Sequence, residues 1–107
     1  MAPKPLDPRN HRIALADAAA MTRRHRSAGV PQFALRAGAF HKDQVQELLN
    51  QAGCVGLRIY LGRDSSNEPN FVLVGVDANG ADLTAGSVLE IHLPCPPYCD
   101  DTSALAI

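Results

Sequence analysis

The sequence predicts an α+β fold, a two-layer sandwich in which two N-terminal helices pack on a three-stranded antiparallel sheet. Three observations point there. Apolar residues recur at helical spacing only before residue 53. From residue 54 the period drops to two. The strand-like segments are joined by turn-forming loops too short for crossovers, which makes the sheet an antiparallel meander. Such a sheet is marginal alone, so the helices are expected to cover its apolar face.

Residues 1–12 read as a flexible arm, because Pro3, Pro5 and Pro8 prevent a helix and little there can be buried. Residues 13–93 read as one α+β domain, and 94–107 as a tail containing Pro and Cys. The first helix is expected from Ala14 to Ser27. Its alanines favour helix, Asp17 suits the first turn, and Arg23, Arg24, His25 and Arg26 suit the last. Gly29 and Pro31 end it. Gln32 to Ala39 fits a short helical turn. In the second helix His41 takes the cap position, Phe40 and Val45 can form a hydrophobic staple, and Val45, Leu48, Leu49 and Ala52 form the stripe before Gly53.

Cys54 to Leu61 is the clearest strand, with Val55, Leu57, Ile59 and Leu61 on one face and Gly56, Arg58 and Tyr60 on the other. Gly62 to Asn70 is rich in turn formers. Phe71 to Asp77 is apolar enough for a central strand buried on both faces. Asp77-Ala78-Asn79-Gly80 is a turn. Val88 to Leu93 is the third strand, with Leu89, Ile91 and Leu93 inward and Glu90 and His92 outward.

Length and composition set limits. Of 107 residues, 46% are apolar, but 16 of those are alanine, which leaves enough large side chains for one core and not two. No apolar run approaches the roughly 20 residues of a membrane span, so no membrane partner is expected. The start lacks a signal-type apolar stretch, and three cysteines is an odd number; both favour a cytoplasmic protein whose thiols are reduced, metal-bound or reactive rather than a disulfide framework. Residues 1–53 carry a net +4 and residues 54–107 a net −5, so the two parts can pack together or pair between copies.

Gly53-Cys54-Val55-Gly56-Leu57-Arg58-Ile59-Tyr60, the segment Leu73 to Leu83 and Cys95-Pro96-Pro97-Tyr98-Cys99 together resemble a family of small bacterial proteins without assigned function. The resemblance spans roughly residues 13–100. It implies a bacterial single-domain protein and no activity, ligand or catalytic residue. A helix leading into a strand-rich cysteine domain also resembles the A-type iron–sulfur carriers, but the Cys-Gly-Cys tail of that pattern is absent.

The most pointed chemical feature is His92-Leu-Pro-Cys95-Pro-Pro-Tyr-Cys99, whose spacing suits a zinc site, with Cys54 as a fourth ligand. The plainer reading makes Cys54 a small buried hydrophobe and the tail a proline-stiffened arm. In a meander the start of the first strand and the end of the third lie at opposite ends of the sheet. No metal is therefore expected to join Cys54 to the tail, and no cofactor is assigned. An extended Cys95–Cys99 segment spans about 12 Å, too far for a disulfide, whereas a turn through Pro97-Tyr98 closes the gap. Thiol redox chemistry is a further alternative.

Asp77 to Asp82 resembles a calcium loop without its downstream Glu, so a hairpin turn is preferred. Arg58 with Tyr60 could hold an anion, or form a partner-covered sheet face. The basic cluster at 23–26 has no interleaved aromatic residue, so nucleic acid is not an expected partner. No nucleophile, P-loop or dinucleotide motif is present. The expectation is a small non-catalytic protein acting in binding or assembly, by self-association or by pairing another protein through a sheet edge.

Overall fold

The computed structural model describes residues 1–31 and 34–107. The element order is α1 (Leu15–Arg26), β1 (Ala37–Ala39), α2 (Lys42–Leu49), β2 (Gly56–Arg63), β3 (Pro69–Val76), β4 (Val88–Leu89) and β5 (Leu93–Cys95). The protein is α+β, with antiparallel strand pairs. It has two sheets where one was expected: a three-stranded sheet ordered β2-β3-β4, and a pair of β1 with β5. The chain divides into two compact units, residues 1–8 with 39–92, and residues 9–38 with 93–107.

In the first unit β3 is the central strand. It pairs with β2 from Gly56 opposite Val76 to Arg63 opposite Pro69, and with β4 through Leu73 opposite Leu89 and Val74 opposite Val88. Leu73, Val74 and Val76 are buried, so the two-sided burial expected from this apolar run is present. Beyond β3 the chain makes the expected tight turn. The Asp77 carboxylate accepts from the Asn79 and Ala81 N–H groups, Gly80 adopts φ +83°, and Val76 pairs with Asp82.

α2 begins at the expected cap, where His41 Nδ1 accepts from the Asp43 N–H at 3.1 Å. It packs on β3 and β4 and buries Leu48 completely. Gln51 ties its end to the sheet loop, donating to the Leu48 carbonyl and accepting from the Ser87 N–H. Gly75 permits this approach, because a Cβ there would lie 2.9 Å from Gln51 Nε2 and 3.1 Å from Cys54 Sγ.

The two-helix layer over one sheet is matched only in part, since α1 belongs to the other unit. An eight-residue helix is about 12 Å long, less than half the roughly 27 Å of an eight-residue strand. The side chains of β2 are therefore not all covered. Val55, Ile59 and Leu61, expected in the core, are 58%, 59% and 84% exposed, and only Leu57 of that row is half-buried.

The third strand also departs from expectation. Ile91 adopts φ +60°, a left-handed conformation that β-branched residues rarely enter. Among the described residues no strand ladder passes through it, so Val88–Leu93 is split into β4 and, in the other sheet, β5. Ile91 and Leu93 are exposed rather than inward. His92, expected outward, lies against Phe71, with centroids 5.1 Å apart edge to face, and near Phe40.

Residues 1–8 belong to this unit as well. The Leu6 side chain lies over Gly56, and the Lys4 backbone lies against Gly80 so closely that a Cβ there would collide with its carbonyl.

In the second unit α1 occupies the expected span, with Asp17 in its first turn and four basic residues in its last. The basic cluster is not simply a solvated helix face. Arg26 donates to the main-chain oxygens of Leu105 at 2.9 Å and Ile107 at 2.7 Å, which ties the tail to the helix end. Where a helical turn was expected, Ala37–Ala39 is a strand paired with β5, and the Arg36 N–H donates to the Cys95 carbonyl. Gln32 and Phe33 lie outside the described residues.

Candidate functional site

The candidate site is the outer strand β2 and the side chains it presents on its two faces. On one face are Leu57, Ile59 and Leu61, alternating along the strand as its period of two requires. Ile59 and Leu61 are the bare members of that row. Among the described residues β2 has a strand partner on one side only, β3. Its outer edge, along eight residues, therefore has main-chain donors and acceptors outside any strand ladder among the described residues.

The other face carries a polar cluster. Arg58 Nη1 donates to Asp82 Oδ1 at 2.5 Å, and the Tyr60 hydroxyl donates to Asp82 Oδ2 at 2.5 Å. Arg58 also reaches the Gly80 carbonyl from both terminal nitrogens at 3.3 Å. Both carboxylate oxygens are thus engaged from β2. The register explains the meeting: Gly56 opposes Val76, Val76 opposes Asp82, and Arg58 and Tyr60 follow Gly56 on the same face.

The electrostatics follow the contacts. The Tyr60 hydroxyl, then Arg58, hold the Asp82 carboxyl below its ordinary range against a smaller opposing effect of desolvation. The same carboxylate raises the Tyr60 phenol, helped by desolvation, and raises the Arg58 guanidinium. Arg58 and Tyr60 were singled out in the sequence as a possible anion site. Here their donors serve Asp82, which the sequence suggested only as part of a turn or calcium-type loop. The signal that could have found it is register: once the turn at 77–80 is placed, Asp82 shares the face of Val76 and Arg58.

The four cysteine and histidine candidates divide between the two units. Cys54 and His92 fall in the first unit, Cys95 and Cys99 in the second. Cys54 is a free, half-buried thiol donating to the Gly56 carbonyl at 3.1 Å. His92 Nδ1 is buried without a hydrogen-bond partner among the described residues. Cys95 and Cys99 form a disulfide with Cα atoms 4.8 Å apart, which corrects the expectation of unbridged thiols for these two. The physical reason is a reversal rather than an extended Pro-Pro segment: the Tyr98 N–H donates to the Pro94 carbonyl at 2.9 Å. Among the described residues no three His, Cys, Asp or Glu side chains are grouped as a metal ion would need. No helix among them is long and apolar enough to cross a membrane.

No family model, curated protein or solved structure matches the chain.

Proposed function

We propose that this is a small non-catalytic protein of binding or assembly whose working surface is the outer edge of β2. The observation that carries the reading is a long edge strand with bare apolar side chains: eight residues, unpaired on one side among the described residues, with Ile59 at 59% and Leu61 at 84% exposure. Edge strands in monomeric proteins are commonly short, or blunted by lysine, proline or a bulge. The opposite edge of this sheet follows that rule, since β4 has two residues and ends near the left-handed Ile91. β2 does not: it has no lysine or proline, the guanidinium of Arg58 is committed to Asp82, and Arg63 stands only at its last position, donating to the Asn67 carbonyl. An extended segment added there would gain main-chain hydrogen bonds along the edge and side-chain contacts with the bare row. A zinc-type function is the lesser reading, because two of its four candidate ligands are spent on a disulfide.

The test is selection of short random peptides by the immobilised chain, set against an Ile59→Lys, Leu61→Lys variant whose changes fall at exposed positions. The reading expects enrichment of peptides with alternating apolar residues, lost in the variant. Equal recovery by both proteins, or no alternating pattern among the peptides, would sink it.

A further inference from the structure

We infer that the segment that pairs with β2 is β2 of a second copy, antiparallel, with Ile59 of each copy on the two-fold axis; this rests on the edge reading above. Antiparallel pairing across a two-fold axis keeps each face of the sheet on its own side. It therefore pairs residues whose numbers have a constant even sum, and the chemistry of β2 selects among the few registers available.

With Ile59 opposite Ile59, Leu57 of each copy meets Leu61 of the other, so the three apolar residues of this row within β2 are matched to one another, while Arg63 at the strand's end lies opposite Val55, just before it. On the opposite face Arg58 of each copy lies beside Tyr60 of the other. Each copy carries both a cation and an Asp82-bound phenol there, so the two clusters meet reciprocally. Gly56 lies opposite Gly62. Moving the centre to Arg58 puts the two Arg58 side chains opposite each other, and like charges at that spacing repel. Moving it to Tyr60 sets Arg63 against Leu57 and breaks the apolar match. The Ile59-centred register alone among these three joins apolar to apolar and arginine to tyrosine. It joins two three-stranded sheets into one of six strands and sets the bare Ile59 and Leu61 of each copy in lateral contact with the apolar row of the other.

The geometry gives a test that reads register as well as mass. Residues opposite each other across an antiparallel pair have Cβ atoms about 4.5–5.5 Å apart, and only a residue on the axis faces its own counterpart. In a Cys54→Ser background, Ile59→Cys should form a covalent dimer on mild oxidation. Leu57→Cys and Leu61→Cys should each stay single-chain alone and cross-link when mixed. Sedimentation of the unmodified chain should show a dimer forming with rising concentration, and Ile59→Asp should weaken it roughly tenfold or more. Cross-linking that is equal at Ile59, Leu57 and Leu61, or strongest at Tyr60→Cys, would overturn the register. A chain that stays monomeric but selects alternating peptides would overturn the second copy and leave the edge reading standing. A monomer that selects none would remove both.

Discussion

Asp82 holds two side chains of β2 at once, and its titration is the most direct way to read what that contact does for the fold. The Tyr60 hydroxyl and the Arg58 guanidinium depress its carboxyl below the ordinary value of 3.8. A depressed carboxyl contributes stability that is present above the unfolded-state value and lost as the pH falls through the folded-state one. The raised Tyr60 phenol has the opposite sense: its contribution is complete below the ordinary value of 10.0 and fades as the pH rises through the folded-state one. Asp82→Asn should therefore be less stable than the parent at neutral pH, with the gap closing as the pH falls below about 4. Tyr60→Phe should show a gap that closes on the alkaline side, above about 10. Denaturant midpoints measured across the pH range check both. Parallel curves for Asp82→Asn and the parent throughout would show that the contact contributes nothing to folding. Because the cluster is accessible to solvent, the effects should also shrink in high salt.

One short helix determines which parts of the sheet are core. Leu73 lies on the central strand at 5% exposure, whereas Ile59, directly opposite it on β2, is 59% exposed. Leu73→Ala should cost about 2–5 kcal/mol, and Ile59→Ala under about 1 kcal/mol in dilute chain. Denaturant titration at low concentration separates the two. Comparable losses would mean that β2 is covered after all. What could be read in advance follows the range of the interactions. The His41 cap, the burial of Leu48, the two-sided burial of β3 and the turn at Asp77 are local in sequence, and all are found in the structure, although Leu49 and Ala52 of the expected stripe are exposed. The burial of β2 was not legible, because alternation shows that residues share a face and says nothing of what covers it. The split at Ile91 was not legible either: a period-two pattern runs through Leu89, Ile91 and Leu93, and only the backbone at Ile91 interrupts it. Asp82 was missed for a similar reason, since it meets Arg58 across 24 residues of chain.

At the scale of the whole molecule, charge and burial both bear on assembly. The unit built on the three-stranded sheet carries four basic and eight acidic residues, and the other unit six basic and three acidic. The uneven charge seen along the sequence is thus kept in three dimensions, although the units interleave along the chain. Among the described residues the buried apolar side chains are Ala19, Leu48, Leu73, Val74 and Val76, a thin core for two units. Peripheral contacts should then matter more than their area suggests, and the arm at residues 1–8 is the clearest case. Its backbone at Lys4 closes over Gly80, which has φ +83°. Gly80→Ala meets two separate penalties, the left-handed backbone and a collision with the Lys4 carbonyl. The first belongs to the turn and costs about 1–2 kcal/mol; the second exists only while the arm is in place. Deleting residues 1–8 should lower the midpoint of the parent, since Leu6 then leaves its place over Gly56. In Gly80→Ala the same deletion should cost less, because it also removes the collision. A coupling of about 0.5–3 kcal/mol between the two changes is the expected mark of a docked arm, measured by denaturant titration of the four proteins of the cycle. Strict additivity would show that the arm does not rest on the turn in solution.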